Sequence, residues 1–102
     1  MNTKPPYYAV IFISKQSEAI EGYSEMSKKM EELATQQHGY LGMNTARDEV
    51  GITVSYWKNL EAIKQWKANS EHLMAQQKGR EQWYNWYNVK ICKVEREYGF
   101  EN

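Results

Sequence analysis

G-I-T-V-S-Y-W-K-N-L-E-A-I-K-Q-W-K, from Gly51 to Lys67, reads as a strand that turns at once into a helix. Ile52, Val54 and Tyr56 alternate with Thr53, Ser55 and Trp57, the period of a strand with two distinct faces. Asn59 is placed to cap a helix. Leu60, Ile63 and Trp66 then recur at steps of three, as a buried helical stripe requires. Asn69-Ser70 reads as a break, with the helix restarting at Ser70 and carrying His72, Leu73 and Met74. The unit gathers large aromatics and one titratable ring around the space between a sheet and a helix.

Upstream, Tyr7 to Ser14 (Y-Y-A-V-I-F-I-S) is β-branched or aromatic almost throughout and reads as a strong strand. Ala9, Ile11 and Ile13 point one way; Tyr8, Val10 and Phe12 point the other. A sheet covered on one side alternates apolar with polar, so this strand is expected to be covered on both. Ser17 to Gln37 reads as a helix with Ser17 as its N-cap. Ile20, Tyr23, Met26, Met30, Leu33 and Ala34 form its stripe, Gly22 lies inside it, and His38-Gly39 ends it. Tyr40 to Asp48 is a weaker strand, and Asp48 to Gly51 a hairpin turn. Lys78-Gly79-Arg80 bends the chain, Glu81 to Trp86 reads as a further helical turn, and Asn88 to Glu97 as the last strand.

The order is therefore β-α-β-β-α-β. That is a ferredoxin-like α+β fold: a four-stranded antiparallel sheet with two helices on one face, in a single domain over residues 1–102. Its other face would meet water in a lone subunit, against the pattern of the first strand. A homodimer with the two sheets face to face, a dimeric α+β barrel, resolves the conflict.

Composition narrows the function. The chain has 102 residues, with 41% hydrophobic and 25% charged residues, which excludes a disordered tail. Thirteen basic and thirteen acidic side chains balance, so nucleic acid is not an expected partner. No stretch approaches the roughly 20 apolar residues of a membrane span. No leader is evident, and a cytoplasmic location is expected. The single cysteine, Cys92, allows no internal disulfide and reads as a buried structural thiol. Eight Tyr and four Trp in so short a chain imply a large interface, an aromatic-lined cavity, or both.

The order of elements and the Gly51–Lys67 segment resemble the antibiotic biosynthesis monooxygenase family. H-L-M-A-Q-Q-K-G-R-E-Q-W-Y (His72 to Tyr84) and V-E-R-E-Y-G-F (Val94 to Phe100) are similar to a bacterial subgroup of it. The resemblance implies a dimeric α+β barrel. It also implies cofactor-independent oxidation, by O2, of a small aromatic or quinol-type substrate. The protein then binds an apolar ring, stabilises an oxyanion and excludes water. His72 would accept the proton, Asn44 would donate to the substrate oxygen, and Trp66 would complete the catalytic set. Trp57, Tyr56 and Trp83 would bind the ring. Trp83 opens the cluster Trp83-Tyr84-Asn85-Trp86-Tyr87, which would lid the pocket or, by preference, cover the dimer seam.

Haem degradation is the alternative chemistry of that family. There the position matching Gln76 holds an axial histidine, and glutamine is a poor iron ligand. Haem is therefore disfavoured as a cofactor, and none is expected. A planar-ligand binder and a non-catalytic dimer, its interior filled by Met and Trp, remain as further readings.

Overall fold

The structure, a computed structural model, describes residues 3–77 and 83–102, with the backbone alone for residues 75–77. The elements run β1 (Tyr7–Gln16), α1 (Tyr23–Thr35), β2 (Tyr40–Arg47), β3 (Gly51–Trp57), α2 (Leu60–Gln77) and β4 (Tyr84–Val94). The strands form one antiparallel sheet in the order β2-β3-β1-β4. This is the expected ferredoxin-like arrangement, with β1 and β3 at the centre.

Register sorts the side chains. Val10 pairs with Ser55 on one side and Ile91 on the other; Phe12 pairs with Thr53 and Val89. These residues face the helices. Ile11 pairs with Val54 and Lys90, and Ile13 with Ile52 and Asn88, on the opposite, outer face. In β2 an extra residue, Leu41, shifts the register between Tyr40 and Gly42. Tyr40 pairs with Trp57 and Met43 with Ser55, so the bulge keeps both on the helix side.

Five boundaries depart from the sequence reading, each for a local reason. β4 ends at Val94 rather than Glu97, because β1 starts at Tyr7 and offers no partner beyond it. α1 begins at Tyr23 rather than Ser17, because Gly22 has φ 84° and a left-handed residue cannot lie within a right-handed helix. The Ser17 hydroxyl instead accepts from the Ala19 amide at 3.2 Å, closing a turn. α2 runs unbroken through Asn69-Ser70. The Ser70 hydroxyl donates back to the Lys67 carbonyl at 3.1 Å, and the Asn69 amide reaches Gln37 beyond the end of α1 at 3.0 Å. β4 begins at Tyr84, where a helical turn is expected, because β1 continues to Gln16 and supplies a partner. Gly51, expected in the turn, is the first residue of β3; a Cβ there would strike the Arg47 guanidinium. The expected bend at Lys78-Gly79-Arg80 lies outside the described residues.

Asn59 does cap α2, its Oδ1 accepting from the Ala62 amide at 2.9 Å. On the first helix–strand connection Gly39 has φ 86°, and a Cβ built on it would lie 2.7 Å from the Ala62 Cβ. The loop passes α2 at backbone distance. Gly39→Ala is therefore expected to cost about 1–3 kcal/mol, from strain and overpacking together. Gly99→Ala, where nothing lies within 4 Å, is the neutral control. Urea unfolding of the two variants checks this.

Candidate active site

The helices lie over the sheet without filling the space beneath them. Between the layers is a cavity of about 590 Å³, within the range of about 300–1,000 Å³ typical of small-molecule sites. Its floor is the sheet: Val10 and Phe12 of β1, Thr53 and Ser55 of β3, Met43 and Thr45 of β2, with Val89 and Ile91 from β4. Tyr23, Met26 and Met30 of α1 form one wall. Ile63, Trp66, Ser70 and Met74 of α2, at steps of three and four, form the other. The hydroxyls of Thr45 and Thr53 lie 3.0 Å apart.

Trp66 lines this cavity and stacks at 5.7 Å and 24° on Trp57. Trp57 stands behind it, fully buried. The Trp57 indole donates to Ser55 Oγ at 2.9 Å, and Tyr40 meets it edge to face at 5.5 Å. Burial first, and then Glu31, raise the Tyr40 hydroxyl above its ordinary pKa.

The other expected site residues stand elsewhere. His72 is exposed and is not on the lining; six residues from Trp66 is the wrong helical phase, whereas Ser70 and Met74 keep step. Asn44 and Tyr56 lie on the outer face, where the Tyr56 hydroxyl donates to Asn44 Oδ1 at 2.9 Å. Trp83 is buried at the entry to α1: its indole donates to the Glu21 carbonyl at 2.8 Å and its ring edges against Tyr23. The geometry thus brings Trp66 and Trp57 together and leaves His72, Asn44, Tyr56 and Trp83 apart from them. Cys92, read as buried, is half-buried on the outer face, opposite Ala9.

Tyr84 and Tyr87 of β4 line the cavity, and Phe12 packs against both, at 5.6 and 5.4 Å. They were legible only as members of an aromatic cluster. The Tyr23, Met26 and Met30 stripe was legible as periodicity, but period alone does not separate a filled core from a lined chamber. Glu31, Lys67 and Glu71 complete the titratable lining, and Lys67 approaches Glu71 at 3.8 Å. On the outer face the Tyr7 hydroxyl donates to Glu97 at 2.6 Å. That bond, with burial second, pushes its pKa up to about 12.

Among the described residues no group of three His, Cys, Asp or Glu side chains could hold a metal ion. The side chain of Gln76, on which the haem argument turns, lies outside the described residues. No helix among them is long and apolar enough to cross a membrane.

The family profile for monooxygenase af470-like proteins matches residues 9–95, from the first strand through the last. The chain belongs to that family. The resemblance to antibiotic biosynthesis monooxygenases is borne out. Within its reach, the Bacillus subtilis protein YqjZ is 47% identical over 100 residues, spanning 96% of this chain and 88% of its own. Among solved structures, SnoaB, a cofactor-independent oxygenase from Streptomyces nogalater, superposes with a TM-score of 0.74. It covers 91% of this chain and 97% of its own at 7% identity. PA3566 from Pseudomonas aeruginosa reaches 0.68, covering 95% and 100% at 17% identity. At such identities these two show the shared fold.

Because the Trp57 indole is buried with Ser55 as its partner, Ser55→Ala in this monooxygenase-family chain leaves a donor unsatisfied. A loss of about 1–3 kcal/mol is expected. Ser55→Thr, which keeps a hydroxyl, should lose less. Urea midpoints followed by tryptophan fluorescence measure both.

Proposed function

We propose that this protein is a cofactor-independent monooxygenase acting on a small aromatic or quinol-type substrate within the interlayer cavity. The observation that carries the reading is the cavity itself, a mostly apolar chamber backed by the Trp57–Trp66 stack, in a chain of a monooxygenase family. An interior filled by Met and Trp, as a purely structural dimer needs, would leave no such space. The cofactor-independent activity of SnoaB, on the same fold, supports the choice among oxygenases.

In the proposed reaction the substrate loses a proton and passes one electron to O2. The two radicals recombine in the cage to a peroxide. The O–O bond then breaks as the attacked carbon gives up its remaining hydrogen as a proton: one oxygen atom remains as the new quinone carbonyl, and the other takes up the two protons lost by the substrate and leaves as water. Trp66 flanks the ring, and the apolar walls hold the radicals together. The proton leaves by way of Glu31 and Glu71, the carboxylates on the lining. Oxygen uptake against a panel of anthrones and hydroquinones tests this. Consumption above the buffer rate is expected with at least one, falling about tenfold or more in Trp66→Ala. No uptake with any member would count against the reading.

We also propose that the protein acts as a homodimer joined through the outer sheet faces. Ile52 and Trp86 on that face are each 44% exposed, beside half-buried Ile11 and Ile13. Beyond β4, Tyr98 and Phe100 are 87% and 89% exposed. A second copy supplies the cover that such aromatics lack. Sedimentation equilibrium should give twice the chain mass, and Ile13→Lys with Ile52→Lys should give monomers. A wild-type monomer at micromolar concentration would remove this part of the reading.

A further inference from the structure

The cavity wall contributed by Tyr23 and Tyr84 differs from the rest, because its rings carry hydroxyls. Tyr23 from α1 and Tyr84 from β4 meet edge to face at 5.8 Å and 87°, and both line the cavity. Phe12 and Tyr87 hold the Tyr84 ring edgewise at 5.6 and 5.8 Å. The Arg47 guanidinium lies over the Tyr23 ring, 5.8 Å from its centre. It is fixed there, since Nη2 donates to the buried Ser14 hydroxyl at 2.6 Å and Gly51 leaves it room. Among the described residues no carboxylate pairs with it.

Each of the two phenols carries one hydroxyl proton that it can donate to a third oxygen. Burial first, and then Tyr23 beside it, hold the Tyr84 hydroxyl far above the ordinary tyrosine range, with Arg47 opposing. Tyr84 is therefore a phenol, and a donor, at any ordinary pH. The titratable groups around this wall are Tyr23, Tyr84, Tyr87 and Arg47. The lining carboxylates lie further along their helices; Glu31 is about two turns from Tyr23. A fixed cation behind a hydroxyl pair, with no carboxylate to neutralise it, favours an anionic oxygen in the chamber.

We propose that the Tyr23–Tyr84 pair is the oxyanion-binding end of the cavity. It donates to the ionised oxygen of a phenolic or enolic ligand, and Arg47 is the positioning residue that steadies Tyr23 and makes this end electropositive. The assignment rests on the monooxygenase reading for the class of ligand, while its test needs neither oxygen nor turnover. The full chain is mixed with para-nitronaphthol, a two-ring phenol whose ionisation is visible by absorbance, and titrated with acid and base under nitrogen. The bound probe should ionise at lower pH than the free probe. Tyr23→Phe and Tyr84→Phe keep the ring contacts. Each should raise the bound ionisation by about one pH unit, a roughly tenfold loss of affinity for the phenolate and little for the phenol. Arg47→Met should shift it the same way and Arg47→Lys less, whereas a merely structural Arg47 would weaken both forms together. Absence of binding, a bound probe that ionises like the free one, or both Phe variants matching wild type would each overturn the proposal. A lowered ionisation with no oxygen uptake would sustain it and sink the monooxygenase reading alone.

Discussion

The burial of Trp57 is the contact on which the rest of the molecule hangs. It ends β3 and has no exposed surface. It meets three elements at once: Tyr40 of β2 by an edge, Trp66 of α2 by a face, and Ser55 of its own strand by a hydrogen bond. An indole of this size supplies more apolar burial than any other side chain, and it does so where α2 crosses the sheet beside Ala62 and Ile63. The bond to Ser55 matters as much as the area, because a buried N–H without an acceptor would offset much of the gain. With Trp57 in place, Trp66 has a surface to lie against, and α2 is set at a height that leaves a chamber beyond it.

That chamber is a consequence of residue size. Where the two helices pass over the sheet, the floor carries Thr45, Thr53 and Ser55. Larger apolar residues there would fill the layer to ordinary interior density. Small hydroxyl side chains leave a gap instead, and the two threonine hydroxyls, together, meet part of their own hydrogen-bonding needs. The sheet is thus held by its flanks, around Trp57 at one end and Tyr23, Tyr84 and Phe12 at the other, and stays hollow between.

Much of this was legible before any coordinates. The two-faced apolar pattern of Tyr7 to Ser14 and the strand-to-helix switch at Lys58-Asn59 suffice for the βαββαβ order, because periods of two and of three to four are unmistakable there. Strand parity also places Trp57 and Tyr56 on opposite faces. The rest depends on contacts distant in sequence. Gly22 reads as a weak helix residue until its left-handed backbone is seen. Asn69 and Ser70 read as a break until their partners are known. The one-residue bulge at Leu41 carries no sequence signal, yet it decides that Asn44 faces away from the helices while Met43 faces them. The place of Arg47 depends on room left by Gly51, four positions on and across the hairpin.

Four of the five methionines, Met26, Met30, Met43 and Met74, border the chamber. A thioether on an unbranched stem has three freely turning bonds and a polarizable tip. Walls of that kind yield by changing rotamer and leave the backbone where it was. The contour of the chamber is then partly drawn by its guest, and molecules of different outline should be graded gently by affinity instead of being sharply sorted by shape.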